Sequence, residues 1–318
     1  MLGDFITTDM QHIQLSGIIP LESSGKRLDQ TLATLFPEYS RENLKQWILD
    51  GSCLINNQIL LPKYKVKGGE SINITAHAKT KNQDWQAQDL PLNIVYEDQD
   101  ILIINKPSNL VMHPASGNWT GTLLNALLNY HSELKFLPRA GIVHRLDKDT
   151  SGLVIIAKTL LAYNNLILQF KNHTIIKTYE AIILGQLIAG GTLNAPIGRH
   201  PHNRLKMDVI AYGKPAITHY RVLKKFKNHT HIKLEIETGR THQIRVHMNH
   251  IHHPIFGDRL YAPSRLENTQ IKNFPRQALH AKELRFKHPS SNKDLHFKID
   301  LPQDMQTLLD TLSSYTSI

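Results

Sequence analysis

Apolar residues near the N-terminus recur at helical spacing. Leu28, Leu32 and Leu35 lie three or four positions apart, which predicts a short helix. Ser40 is a typical N-cap for a second helix, and Gly51 is a typical residue just past its end. The pattern therefore predicts two consecutive helices.

A hairpin and a linker are predicted after the two helices. The stretch "CLINNQIL" alternates around Asn56-Asn57, a dipeptide that favours a tight β-turn. Residues 21–76 are thus interpreted as one small α+β domain, preceded by a tail at 1–20. Residues 77–88, "HAKTKNQDWQAQ", have few apolar positions and no periodicity, which is typical of a linker.

The remaining residues, 89–318, predict a larger domain. Helical patterns cover 121–130 and 159–172, and they stand between strand-like runs. These runs are "DILIINK", "GLVIIAK", "YEAIILG", "THYRVLKKF" and "HIKLEIET". Few helices among many neighbouring strands predict the α+β class, with a mixed, mostly antiparallel sheet.

Composition narrows the class of protein. Of 318 residues, 41% are hydrophobic, but no run approaches the roughly 18 apolar residues of a membrane helix. The start, "MLGDFITTDM", lacks the pattern of a secretory signal, so we expect a cytoplasmic protein. Cys53 is the single cysteine, which excludes an internal disulfide and a multi-cysteine metal site.

Positive charge is concentrated in the larger domain. Residues 1–76 contain seven basic and eight acidic residues, whereas 77–318 contain 30 basic and 19 acidic ones. A sequence pI near 9.5 with that distribution favours a polyanionic partner, foremost a nucleic acid.

The densest group of polar residues is "HRLDKDTSGLVIIAK", residues 144–158, which runs directly into a predicted strand. Loops at the ends of strands commonly carry catalytic groups, because the scaffold fixes them while leaving them exposed. Asp147 and Asp149 suggest a pair of acids, but neighbours in one loop rarely straddle a glycosidic bond at roughly 5 Å or more. The alternative is a structural one, in which both aspartates accept backbone bonds in turns.

A second polar segment is "ETGRTHQIRVHMNHIHHPIFGD". Thr241 is a predicted cap for a helix on which Arg245 shares a face with Met248. An arginine there could reach a carboxylate of another loop, keep it charged and orient it with a bidentate fork; an ordinary surface ion pair is the alternative.

The histidines of this segment also suggest a metal site. They lack an H-E-x-x-H pair, a cysteine partner and a second group of carboxylates at ligand spacing, so we expect packing, capping or RNA-facing roles. Nucleophile-elbow, P-loop and dinucleotide motifs are missing from the sequence as well, which leaves acyl transfer, NTP hydrolysis and hydride transfer unsupported.

Several motifs together resemble a known family. "HRLDKDTSGLVIIAK", "KTYEAIILG", "GRHPHNRLKM", "GKPAITHYRVL", "TGRTHQIRVHM", "HHPIFGDRLY" and "RQALHA" look like the successive motifs of RluA-type pseudouridine synthases. The order helix, helix, hairpin before them resembles the S4 RNA-binding domain. The resemblance covers nearly the whole chain.

This resemblance implies a cofactor-free, metal-free isomerisation of uridine within RNA. It implies that Asp147 is the nucleophile, attacking either ribose C1′ or uracil C6, and that Arg245 is its basic partner. Tyr179 would lie against the uracil and could help to remove the C5 proton, although a core tyrosine is the alternative. Arg145 would fill the space left by the flipped uridine, since a stacked base offers no access to a carboxylate.

The implied substrate is 23S ribosomal RNA, at the helix 69 stem-loop and within pre-50S particles. A related synthase for other uridines and a non-catalytic RNA-binding or assembly protein are the alternatives. No heptad seam is present, so we expect a monomer. Predicted RNA contacts besides Arg145 are Arg41, Lys45, Arg199, His200, Arg204, Lys206 and Arg240.

Overall fold

A computed structural model describes residues 11–36, 39, 41–78, 85–115, 117–262 and 274–314. The chain divides into two compact units, residues 1–84 and 85–318. This division falls inside the segment predicted as a linker, of which 79–84 lie outside the described residues. No helix within the described ranges is long and apolar enough to cross a membrane.

The first unit is a three-stranded antiparallel sheet with two helices. Its strands are ordered β1-β3-β2, and its core is formed by apolar side chains of all five elements. The elements are β1 (Gln11–Ile18), α1 (Leu28–Leu35), α2 (Arg41–Leu49), β2 (Cys53–Ile55) and β3 (Ser71–Ala78).

The tail predicted for residues 1–20 is wrong from residue 11 onward. β1 pairs with β3 along its whole length, with Leu15 opposite Ile74. Ile13 is buried and Leu15 packs against the same core, two residues apart. This period-2 alternation is the signal of a half-buried strand, and the prediction overlooked it.

Both predicted helices form, but the predicted hairpin does so only in part. Asn56 and Asn57 have φ of 47° and 61°, which fits a tight turn. The second strand is missing from the described residues: a single bridge joins Ile55 to Gln58, and β2 pairs instead with β3. Ile59 and Leu61 are exposed, and only Leu60 between them packs against the core. Ser40, the predicted cap, lies outside the described residues.

The larger unit has a nine-stranded sheet in the order β4-β5-β6-β13-β7-β12-β11-β8, with β14 on β13. Only β6 and β13 pair in parallel, so the predicted α+β class with a mixed, mostly antiparallel sheet is confirmed. The strands of this sheet are β4 (Ile94–Glu97), β5 (Ile101–Lys106), β6 (Ser151–Ala157), β7 (Ile176–Leu184), β8 (Gly191–Asn194), β11 (Ile217–Lys225), β12 (His229–Ile236), β13 (Leu279–Lys287) and β14 (Asp294–Lys298).

The other elements surround this sheet. They are the hairpin β9 (Ile197–Arg199) and β10 (Met207–Val209), and the helices α3 (Leu123–Tyr130), α4 (Leu160–Lys171), α5 (Gln243–His250) and α6 (Gln303–Ser314). Alternate residues of β5 and β6 belong to two different hydrophobic clusters, as the two faces of a sheet require. Helices α3, α5 and α6 pack on one cluster and α4 on the other.

A close approach of two strands sets the start of β6. Gly152 has φ +117° and lies opposite Ala281 of β13, whose carbonyl would clash with any Cβ at this position. Glycine is therefore required there. The polar loop that precedes Gly152 therefore lies at the end of the sheet where the parallel strands β6 and β13 begin.

Candidate active site

The larger unit has a cavity of about 850 Å³ lined by the two polar segments of the sequence. Asp147 lies in the loop before β6, and Arg245 lies in the first turn of α5. The Arg245 Nη1 donates to Asp147 Oδ2 over 2.9 Å, although the two residues are 98 positions apart. Among the described residues that line the cavity, Asp147 is the only carboxylate.

A second aspartate fixes the arginine. Arg245 donates from Nε and Nη2 to the two carboxylate oxygens of Asp258, over 2.7 and 2.9 Å. The prediction that Arg245 binds Asp147 with a bidentate fork is therefore wrong. The fork binds the fully buried Asp258, and Asp147 accepts a hydrogen bond from the remaining Nη1. Burial alone would lower the pKa of Arg245, but Asp258 and Asp147 outweigh burial and raise this pKa, so the guanidinium stays charged.

The predicted cap at Thr241 is also wrong. Helix α5 begins at Gln243, and its N-cap is His242, in the left-handed region with φ 57° and without a side-chain capping bond. The Gln243 Oε1 accepts from Thr238 Oγ1 over 2.7 Å and from the Arg240 amide over 3.0 Å. These bonds connect the preceding turn to the helix, so Gln243, rather than Thr241, stabilises the start of α5.

Tyr261 connects the site to the β9–β10 hairpin. Its hydroxyl lies 2.9 Å from His242 Nδ1 and accepts from the Met207 amide over 2.8 Å. The Arg245 guanidinium lies over the Tyr261 ring, 5.1 Å from its centroid. His242 Nε2 in turn lies 4.0 Å from Asp147 Oδ1.

A buried lysine anchors the loop that carries Asp147. The Lys106 ammonium donates to the carbonyls of Pro107, Leu110 and Lys148 over 2.8 to 2.9 Å. Burial lowers the pKa of Lys106 to about 7, while Asp149 and Asp147 act in the opposite direction. The three bonds fix the main chain one residue beyond the candidate nucleophile.

The end of the same loop is fastened to β13. The Ser151 hydroxyl lies 2.9 Å from His280 Nδ1, and the Gln277 amide donates to Thr150 Oγ1 over 3.2 Å. Asp149, also expected to hold the loop, does so through its main-chain carbonyl, which accepts from Arg276 over 3.2 Å.

Tyr179 lies in the cavity wall and is 7% exposed. Burial, and then the charge of Asp147, raise the pKa of Tyr179 far above its usual value. The side chain is therefore a neutral phenol near neutral pH. Tyr179 also belongs to the main hydrophobic cluster. It is therefore both a core residue and part of the cavity wall, so the two interpretations do not exclude each other.

The histidines are engaged in structural contacts. His247 lies within 2.9 Å of both Thr218 Oγ1 and the Ala195 carbonyl, and His253 Nδ1 lies 2.9 Å from the Leu184 carbonyl. His144 Nε2 accepts from the Ile155 amide, and burial lowers the pKa of this imidazole to about 3. Across the ranges that the structure describes, no three histidine or acidic side chains are arranged to hold a metal ion.

The predicted RNA contacts occupy three places. Arg145 and Arg240 line the cavity, and Arg240 Nε donates to the Pro215 carbonyl. Arg199, His200, Arg204 and Lys206 lie at the end of the β9–β10 hairpin. In the first unit, Arg41 pairs with the buried Asp29 over 2.6 Å and Lys45 with Glu42 over 3.5 Å, so both of these cations have carboxylate partners.

Sequence reasoning gave no role to four residues that support the site. Lys106, Asp258, Tyr261 and Arg276 all stand in or next to family-like motifs: "INKP", "FGDRLY" and "RQALHA". Each is an ionisable or polar residue beside an apolar run. That pattern marks a buried polar group, but it does not identify its partner.

The geometry shows a single carboxylate, Asp147, beside a buried arginine, in a cavity whose described lining consists otherwise of cations and neutral groups. The model of the RNA pseudouridylate synthase family matches residues 100–250, and the S4 domain model matches 26–72. The protein called ribosomal large subunit pseudouridine synthase D from Salmonella typhimurium is 48% identical over 311 residues, which are 95% of each chain. The protein of that name from Vibrio parahaemolyticus is 46% identical over 96% of this chain and 97% of its own.

The chain belongs to the RNA pseudouridylate synthase family, and it is a pseudouridine synthase, as its motifs predicted. Solved structures share the fold. Human RNA Pseudouridylate Synthase Domain Containing 4 matches with a TM-score of 0.56 and 24% identity, covering 70% of this chain and 93% of the human one. Human RNA Pseudouridylate Synthase Domain Containing 1 matches with a TM-score of 0.53 and 24% identity, over 72% and 97%.

Proposed function

We propose that this chain isomerises uridines of 23S ribosomal RNA to pseudouridine, with Asp147 as the nucleophile. The observation that carries the proposal is the contact between Asp147 and Arg245 in a cavity lined otherwise by cations and neutral groups. The substrate class is supported by relatives, 46 to 48% identical over nearly their whole length, that are named large-subunit synthases.

The chemistry needs one ionised carboxylate. Asp147 adds to the target nucleotide, at ribose C1′ or at uracil C6, and the N1–C1′ bond breaks. The uracil turns, C5 bonds to C1′, the bond to Asp147 breaks and frees the carboxylate, and the C5 proton leaves to solvent or a base. Arg245 keeps one carboxylate oxygen occupied and thereby orients the other, while Asp258 holds the arginine in place.

Tyr179 takes a packing role in this scheme. Its buried phenol offers a flat face to a uracil ring, whereas its raised pKa disfavours the phenolate that a proton acceptor would require. Arg145 is exposed at the lining of the cavity, where a guanidinium can occupy the place of a flipped base.

The RNA path is proposed from charge and exposure. Exposed cations of the β9–β10 hairpin suit phosphates, and the S4 unit adds a second RNA-binding module. We assign the helix 69 stem-loop, within assembling large subunits, as the target. The enzyme would then act as a monomer in the cytoplasm, where large subunits assemble.

Pseudouridine mapping tests activity and target together. Ribosomal RNA from cells lacking this protein should lose the carbodiimide-reactive pseudouridines of helix 69, and the wild-type gene should restore them. Loss at other uridines would instead favour a synthase with a different RNA target. Unchanged modification everywhere would refute the ribosomal substrate.

A further inference from the structure

Lys177 is a buried cation in the cavity wall that the proposed mechanism does not use. It stands two residues before Tyr179 on β7, so both side chains lie on the same face of the sheet, and both line the cavity. Lys177 is only 6% exposed. Among the residues that the structure describes, none offers an acceptor within hydrogen-bond distance of its ammonium. Its Nζ is not among the completely buried unpaired polar atoms of the described residues, so the ammonium reaches the cavity, where a ligand can supply an acceptor.

The surroundings of Lys177 are aromatic and neutral. Its Nζ lies 5.8 Å from the centroid of the Phe170 ring, which stacks on His144 at 4.9 Å. His144 is neutral, because burial and the charge of Lys177 lower its pKa. Burial lowers the pKa of Lys177 itself to about 8, so the ammonium is still mostly charged at pH 7.

Exposure separates Lys177 from three other cations of the cavity, and the equally buried Arg245 differs from it in being paired with Asp147 and Asp258. Arg139, Arg145 and Lys171 also line it, but all three are exposed, and phosphates that keep part of their hydration suit such groups. The wall near Lys177 includes the buried side chains of Ile236, which lies opposite Lys177 on β12, and Tyr179. A flat, uncharged base can be desolvated against this wall, whereas a phosphate cannot be without a large penalty.

We propose that Lys177 donates a hydrogen bond to a carbonyl oxygen, O2 or O4, of the target uracil. This assignment rests on the proposed function and adds a binding residue to it. When the N1–C1′ bond breaks, its electron pair stays with the uracil and spreads over N1, O2 and O4; attack at C6 likewise places charge on the ring. The same pair then forms the C5–C1′ bond, the bond to Asp147 breaks and frees the carboxylate, and the C5 proton leaves. An ammonium at a carbonyl oxygen stabilises this charge more than it stabilises the neutral ring, so it accelerates the reaction.

Variants of one lysine inside the cavity and one outside it test the assignment. Lys177→Met should slow single-turnover conversion at saturating RNA about 100-fold, the effect of removing one donor from a developing oxyanion. RNA affinity should change little, and Lys177→Arg should recover part of the rate. Lys287→Met, at an exposed lysine of β13 that lies outside the cavity lining and pairs with Asp294, should keep the wild-type rate.

Two results would overturn the assignment. One is a Lys177→Met enzyme with the wild-type rate. The other is weaker RNA binding with a shallower salt dependence and an unchanged saturated rate, which would make Lys177 a phosphate contact. Failure of the wild-type enzyme to form pseudouridine would instead refute the proposed function.

Thio-substituted RNA identifies the acceptor atom. Sulfur accepts hydrogen bonds poorly, so 2-thiouridine or 4-thiouridine at the target should slow the wild-type enzyme if that position contacts Lys177. The same substitution should then slow Lys177→Met no further, because the two changes remove one interaction. Strictly additive effects for both thio substrates would exclude the contact.

Discussion

The two faces of strand β7 differ in how their charged side chains are paired. On one face, Glu180 accepts from His231 and Lys282, both over 2.8 Å, so its charge is fully paired. On the cavity face, one strand position away, Tyr179 is a neutral phenol, and Lys177 has no hydrogen-bond acceptor among the described residues. The charge of Glu180 is thus satisfied within the sheet, whereas we propose that the charge of Lys177 serves a ligand.

Removal of the nucleophile should have the largest effect. Asp147→Asn keeps the shape of the side chain but loses the charge, so tritium release from C5-tritiated uridine in 23S transcripts or subunits should disappear. RNA binding should remain measurable, because the exposed cations are unchanged. Asp149→Asn, two residues away, is the matched control and should retain activity. Appreciable release by Asp147→Asn would refute the assignment.

Replacing Asp258, the carboxylate that positions Arg245, should have the second-largest effect on the rate. Asp258→Asn replaces one of the two oxygens that Arg245 binds with an amide donor, so the guanidinium should shift away from its position beside Asp147. We expect the saturated rate to fall about 100-fold, as for other small displacements of reacting groups. Thermal melting would show that the variant is folded, and RNA affinity should stay near that of the wild type. An unchanged rate would make this ion pair structural only.

Replacing the paired Glu180 on the other face of β7 should lower the stability of the protein and leave its activity unchanged. Burial alone would raise the pKa of Glu180, but the bonds from His231 and Lys282 lower it to about 2, against an ordinary value of 4.5. Stability from this group is therefore present above pH 4.5 and is lost as the pH falls toward 2. Glu180→Gln should lower the free energy of unfolding at pH 7 by about 2 kcal/mol and flatten the acid limb of the pH profile.

An exposed pair serves as the control for that measurement. Glu237 contacts His219 over 2.8 Å with both side chains well exposed, and Glu237→Gln should change stability by less than about 1 kcal/mol. Pseudouridine formation should be normal in both variants at neutral pH. Equal losses of stability would mean that burial does not distinguish the two pairs.

The comparison also shows what the sequence could predict. The resemblance to the family implies the pairing of Asp147 with Arg245, whereas the two polar segments alone indicate only that this arginine could reach a carboxylate of another loop. The sequence does not predict that the bidentate fork of Arg245 binds Asp258, because spacing places residues on a helix face but does not choose between Asp147 and Asp258. The strand β1 had a readable period-2 pattern that was missed. The unpaired state of Lys177 depends on which neighbours cross the sheet, and no local pattern encodes that.

The smallest effect is expected at the rim of the RNA path. Arg204 is exposed at the end of the β9–β10 hairpin, and its contact with Arg199, over 2.7 Å, is made by its main-chain carbonyl and not by its guanidinium. If it binds a phosphate, Arg204→Met should weaken RNA binding a few-fold and reduce the slope of log affinity against log salt by about 0.7 to 0.9.

Salt dependence separates such a contact from a solvated surface charge. Lys298 on β14 is exposed too, but it lies 3.7 Å from Glu283, so its charge already has a partner. Lys298→Met should therefore leave the slope unchanged, and both variants should keep the saturated rate. An unchanged slope for Arg204→Met would show that the hairpin loop is merely solvated. The contrast between paired and ligand-binding charge would then apply to the cavity face of β7 but not to the hairpin.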